Sequence, residues 1–204
     1  MDYDSIKGVA YDYADRLDNV EATNRYDSFL RMVESRINKR LRIFTMSNRA
    51  IIATIKDKEY YGLPADFLSL RDIEIRPNGE SIPRQTAIYL NPEQMNNVAS
   101  NTTCFYYTII AQQIQIRPAK EDMIMEVVYH RKVGELSQSL NNWVAEDYPD
   151  CYVFGLLVEI NAFVRDANAA ALWGERFSTS LEELTVADNS DRWSGIPLTT
   201  KIES

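Results

Sequence analysis

Residues able to do acid–base or nucleophilic chemistry are scarce in this chain. His130 is the single histidine. One imidazole with no cysteine or carboxylate pattern around it neither completes a metal site nor anchors a nucleophilic triad. Its place at the end of a predicted strand makes it a surface or strand-edge residue. Cys104 and Cys151 form no CxxC pair, and both are expected to be reduced, buried thiols. Close acid pairs occur at Asp72 and Glu74, Glu146 and Asp147, and Glu182 and Glu183. Asp72 and Glu74 would share one face of a strand, roughly 7 Å apart, inside the ~5–9.5 Å that a glycosidase needs across its cleft. With thirty acids in the chain such pairs arise by chance, and a solvated strand face explains them. No GxSxG, HExxH, phosphate-binding or dinucleotide-binding pattern is present. The residues therefore predict no catalytic site, no metal and no cofactor.

Nucleic-acid grip is equally ill served. A net charge of −8 opposes binding by phosphate neutralisation. The aromatic cluster Phe105-Tyr106-Tyr107 lies in a stretch, 101–116, without Lys or Arg, whereas base stacking wants a basic groove. Tyrosines on strands pack cores and interfaces. The charge is unevenly placed, however. Residues 1–21 are acidic (Asp2, Asp4, Asp12, Asp15, Asp18, Glu21), and residues 25–49 are basic (Arg25, Arg31, Arg36, Lys39, Arg40, Arg42, Arg49). Opposite signs on neighbouring elements suggest helix-to-helix pairing, within one subunit or between two. Arg25, Arg31, Arg36 and Arg40 are the candidates to meet the acids of the first helix.

The elements that must position these residues follow from periodicity. Ile6, Val9, Ala10, Tyr13, Leu17 and Val20 recur at helical spacing behind an Asp4 or Ser5 cap. Tyr26, Phe29, Leu30, Val33, Ile37, Leu41 and Phe44 form a clearer stripe. Near Arg49 the period becomes two, and strands are predicted over 51–55, 60–63, 67–76, 86–90, 104–110, 113–117 and 123–131. Pro77-Asn78-Gly79 reads as a turn, Asn91-Pro92-Glu93 as the start of a short helix, and Ala111-Gln112 as a hairpin tip. Cys151–Val164 is apolar on nearly every side, the mark of a buried helix, with Gly155 permitting close approach. Asp166-Ala167-Asn168 breaks it. Ala170, Trp173, Phe177, Leu181 and Leu184 then line one face of a last helix. After Val186 the periodicity stops.

The expected fold is α+β. Helices at 1–48 and 142–187 form one bundle, a β-rich region at 49–141 is inserted, and 188–204 is an extended C-terminal arm. In that arm Trp193, Ile196, Pro197 and Leu198 are apolar without a core of their own, so they are expected to dock on a partner. No run reaches the ~18 apolar residues of a membrane span. The acidic N-terminus lacks a secretory signal.

Four segments in order carry a resemblance. FLRMVESRINKRLRI holds Glu34, Arg36, Ile37 and Asn38; YYGLPADFLSLRDIEI spans Tyr60–Ile75; FYYTIIAQQIQIRPA ends in Arg117-Pro118; and NNWVAEDYPDCYVFGLLVEINAFVRDANAAALW opens the last helices. Together, over about 29–184, they resemble the head–tail adaptor proteins of tailed bacteriophages. The resemblance implies a non-enzymatic virion protein, made in the host cytoplasm and placed at the head–tail junction. It implies a homo-oligomeric ring, commonly a dodecamer, that extends the DNA channel with DNA only as passing cargo. Its partners would be the portal protein, reached through the arm, and a tail or nozzle protein. The alternatives are a virion-associated cell-wall glycosidase and a tail-tube or neck protein of related architecture.

Overall fold

The computed structural model describes residues 1–15, 19–79, 83–99 and 101–193, the side chains of 191–193 excepted. The fold is α+β as expected, with seven α-helices and two four-stranded sheets among the described residues. It divides into two units, 1–45 with 133–204, and 46–132.

The helical unit holds α1 (Tyr3–Ala14), α2 (Val20–Asn24), α3 (Tyr26–Arg40), α5 (Trp143–Asp147), α6 (Pro149–Phe163) and α7 (Ala167–Trp193). Its centre is α6, against which α1, α3, α5 and α7 all pack. This explains the all-round apolarity of that segment, because a helix covered on every side gains from burying every face. Cys151, Tyr152, Leu156, Leu157 and Ile160 are fully buried. Proline opens α6 at a position whose N–H needs no partner.

The expected first helix is two helices. Asp15 adopts a left-handed conformation (φ 51°, ψ 47°) and its N–H returns to the Asp12 and Tyr11 carbonyls, ending α1. Asn19 then caps α2 through Ala22 N–H at 3.0 Å. The cap of α1 is Asp2, which accepts from Ser5 N–H, and not Asp4 or Ser5. The buried face is Tyr3, Ile6, Ala10, Tyr11 and Ala14, whereas Tyr13 and Val20 are exposed. Tyrosines fasten this corner: Tyr11 donates to the Ala22 carbonyl at 2.6 Å, Tyr26 to the Tyr3 carbonyl at 3.3 Å, and the Tyr3 and Tyr26 rings meet edge-on at 4.9 Å.

The helix α7 also differs from expectation. It continues through Trp193, so 188–193 are helical where extended chain was expected. Phe177, Leu181 and Leu184 are buried on one stripe, and the next position of that stripe is the buried Asp188.

The β unit stacks two sheets. One has the order β1-β8-β3-β4, from β1 (Ser47–Ala53), β3 (Phe67–Pro77), β4 (Gln85–Thr86) and β8 (Met123–Arg131). The other has the order β2-β7-β6-β5, from β2 (Tyr60–Gly62), β5 (Ile88–Tyr89), β6 (Tyr106–Ile110) and β7 (Gln113–Arg117), with β5 parallel to β6. Ile73, Ile75, Ile114, Ile116, Met125 and Val127 form the core between them. The hairpin tip lies at Ala111 (φ 43°) and Gln112 (φ 65°), as expected from a two-residue loop. A capping box on Asn91 starts the short α4 (Pro92–Met95).

Candidate functional site

Asp72 and Glu74 both sit on β3, on the face opposite Ile73 and Ile75. Asp72 turns back to accept from Ile73 N–H at 2.8 Å. Glu74 lies directly across from Glu126 of β8, a like-charge cross-strand pair that alone is destabilising. Arg84 offsets it, reaching Glu74 at 2.8 Å and Glu126 at 3.7 Å, and Arg49 adds a contact to Glu126 at 3.0 Å. The result is a four-charge clasp across the sheet. Asp72 and Glu74 thus have structural partners. They are less solvated than expected, and Glu126, the clasp's buried member, was missed because its spacing on β8 gives no sign of what lies opposite.

His130 is not at a sheet edge. It is half-buried on the central strand β8, opposite Ser47 of β1 and Ser69 of β3, with Ser69 Oγ 3.1 Å from its Nδ1. Cys151 is buried as expected and its thiol is pushed up to about 12 by desolvation. Cys104 is exposed, contrary to expectation. It lies in the turn-rich chain before β6, outside any packed element. Among the described residues no cluster of His, Cys, Asp and Glu could hold a metal ion.

In each of the four motifs some polar side chains hold the chain to itself. Glu34 on α3 accepts from Leu136 N–H at 2.7 Å, and Asn38, one turn on, accepts from Val133 N–H at 2.8 Å. These two side chains receive the chain returning from the β unit. Arg36 pairs with the buried Glu159 of α6 at 2.6 Å. In the second motif Pro64 and Phe67 close a turn whose Asp66 accepts from Tyr129 Oη at 2.9 Å and, through its carbonyl, from Lys132 N–H at 2.7 Å. In the third, Arg117 pairs with Glu59 at 2.9 Å and donates to the Met95 carbonyl at 2.9 Å. Around this pair lies a cavity of about 560 Å³ whose other charged residues are Asp57 and Lys120. In the fourth, Asn142 caps α5 through Ala145 N–H and donates to Gly134 O and to the buried Tyr152 hydroxyl.

Within the subunit, each of the four arginines has a partner of its own. Arg25 lies over the Phe163 ring at 5.2 Å, Arg31 pairs with Glu34 and Glu135, Arg36 with Glu159, and Arg40 donates to Ser178 at 2.8 Å. None of these partners is an acid of α1. The guanidinium groups instead stitch α3 to α6, α7 and the returning chain, and all four residues remain exposed. Of the arm residues, Trp193 is the last residue of α7, and Ile196, Pro197 and Leu198 lie outside the described residues.

Asp188 is an anchoring side chain that periodicity concealed. Its carboxylate accepts from Phe44 N–H (2.6 Å), Thr45 N–H (2.9 Å) and Thr45 Oγ1 (2.6 Å), binding α7 to the chain that leads into β1. The spacing 177-181-184-188 was a usable signal, but a stripe ending on an aspartate reads as a stripe that has ended.

A helical unit and a β-sandwich unit define a protein of the α+β class. The family model for SU10 adaptor protein matches residues 1–200. The chain belongs to that family of phage adaptor proteins, and is accordingly a structural component of the virion. No curated protein matches it.

Proposed function

We propose that this chain is the head–tail adaptor of its phage, a ring-forming subunit between the portal and the tail or nozzle protein. The ring, a dodecamer in this reading, extends the channel through which DNA passes. Each subunit docks on the portal through Trp193, Ile196, Pro197 and Leu198. Neighbouring subunits meet at the exposed basic face of α3, with Arg25, Arg31, Arg36 and Arg40 directed to the acidic face of α1, including Asp4 and Asp12, on the adjoining copy. The observation that carries the reading is the family match, which extends to residue 200 and so includes all four docking residues. Charge complementarity between the α1 and α3 surfaces supports the lateral contact, and the acidic balance suits a wall along which DNA must slide.

The test is removal of 194–204, assayed by co-sedimentation with portal rings. The shortened chain is expected to fold and to stay in the supernatant. Undiminished attachment would overturn the docking assignment.

A further inference from the structure

A row of aromatic rings runs along the outside of the helical unit. Tyr13 of α1 stacks on Trp173 of α7 with ring centroids 6.4 Å apart, and Trp173 stacks on Phe154 of α6 at 5.7 Å. Tyr13 is 63% exposed, and Leu172, next to Trp173 in α7, is 51% exposed. Phe154 and Leu172 line a groove of about 430 Å³ along α6 and α7. Single apolar side chains on a surface need no account, but a contiguous set, stacked and open to water, marks a contact surface. Among the described residues its charged neighbours are mostly acidic. Asp12 lies beside Tyr13 on α1, and Glu175 and Glu183 line the groove, against Arg176, whose guanidinium lies over the Trp173 ring at 5.1 Å.

The exposed side of α3 is the complement of this surface. A shallow depression of about 520 Å³ there is lined by Ser28, Arg31, Met32, Ser35, Arg36 and Lys39. This lining has three cations, no carboxylate and one apolar side chain, Met32, which is 50% exposed. Arg31 and Arg36 already hold Glu34, Glu135 and Glu159. A guanidinium has five N–H groups, however, and both side chains are about half exposed, so each can take a further carboxylate.

We propose that Met32 of one copy seats on the Tyr13, Leu172 and Trp173 surface of the next copy and forms the apolar centre of their lateral contact. Arg31, Arg36 and Lys39 then lie against Asp12, Glu175 and Glu183. This rests on the lateral-contact reading above, in which α3 meets the acidic face of α1, and extends that face across α7. A flexible thioether fits the edges of aromatic rings. Aromatic, methionine and arginine side chains are enriched at the centres of such contacts, where most of the binding energy sits. The two faces also set the direction of assembly. Basic against basic and acidic against acidic both repel, so neither face pairs with its own kind. The contact is therefore head-to-tail, which continues into a ring and does not stop at two copies.

Cysteine cross-linking of the full chain tests the pairing, on a Cys104→Ser background that removes the exposed native thiol. Met32→Cys and Leu172→Cys alter exposed side chains, so both chains should fold. Mixed together and treated with a short bismaleimide, with and without portal rings, they should cross-link to each other and neither to itself. A chain carrying both substitutions should give a ladder of oligomers. Arg31→Cys mixed with Asp12→Cys reports the charged contact separately. Adding Leu172→Ser to the Asp12→Cys chain should lower that second yield by about 10-fold, as loss of a central apolar contact does. An Arg31–Asp12 cross-link without a Met32–Leu172 one, or one untouched by Leu172→Ser, overturns the seat of Met32 while the lateral reading stands. Cross-linking of Met32→Cys only to itself overturns the head-to-tail direction. Failure of both pairs, with and without portal rings, overturns the lateral reading and the seat together.

Discussion

Glu34 is a carboxylate kept inside the protein for the sake of one backbone N–H. Burial raises its pKa above the ordinary 4.5, and the bonds from Leu136 N–H and Arg31 only partly oppose this. A folded-state value above the unfolded one means that the folded chain binds the proton more tightly. The contribution of this group to stability is thus fullest below pH ~4.5 and is lost as pH rises through the raised value. Glu34→Gln retains an acceptor for Leu136 and removes the titration. The stability of the native chain relative to this variant should therefore fall between pH 4 and pH 7, as read by urea unfolding at both. A constant difference would mean that Glu34 titrates as in the unfolded chain. Thiol reactivity supplies a second check. Cys104 is exposed, while Cys151 is buried with its thiol raised to about 12. A thiolate-seeking reagent at pH 8 should modify Cys104 in the folded protein and reach Cys151 only in denaturant.

At the scale of elements, α6 sets the packing. A Cβ on Gly155 would stand 2.6 Å from Val33 Cγ1 and 3.2 Å from Phe177 Cε2, between α3 and α7. The helix gains about 1 kcal/mol from Gly→Ala by propensity alone, but overpacking typically costs about 1–3 kcal/mol. Gly155→Ala should be net destabilising, and Val33→Ala in the same chain should recover part of the loss; a double-mutant cycle by chemical unfolding measures the coupling. Additive effects would show that the crowding relaxes elsewhere. This helix, α3 and the Ala111-Gln112 hairpin were legible because their periodicity is long or their turn is fixed by the flanking strands. The break at Asp15 was not, since a single left-handed residue leaves the apolar spacing nearly intact. The end of α7 was missed for the opposite reason: its buried stripe finishes on a charged residue whose donors lie far away in sequence. The Glu74–Glu126 clasp was hidden because strand register, which brings the two together, depends on pairing across some fifty intervening residues.

At the scale of the whole molecule, the anchor at Asp188 and the docking proposed for the C-terminal residues make separate demands on the chain. Two truncations separate these roles. Removal of 194–204 leaves α7 intact through Trp193, and in the docking reading it takes away residues that serve a partner. Its thermal midpoint should stay close to that of the full chain, in the manner of surface changes worth within about 0.5 kcal/mol. Removal of 188–204 takes Asp188 as well, and with it the carboxylate that accepts from Phe44 N–H and Thr45 N–H. Hydrogen bonds to a charged group are worth about 1.5–3 kcal/mol, and with Phe44 and Thr45 open to water a loss of about 2–4 kcal/mol for the whole anchor is expected. For a chain of this length that lowers the midpoint by roughly 5–15 °C. Calorimetry on the two shortened chains makes the comparison directly. Equal midpoints would mean that Asp188 contributes nothing to the fold; a large loss already in the shorter deletion would mean that 194–204 belong to the folded core, and that attachment to a portal must be sought elsewhere on the surface.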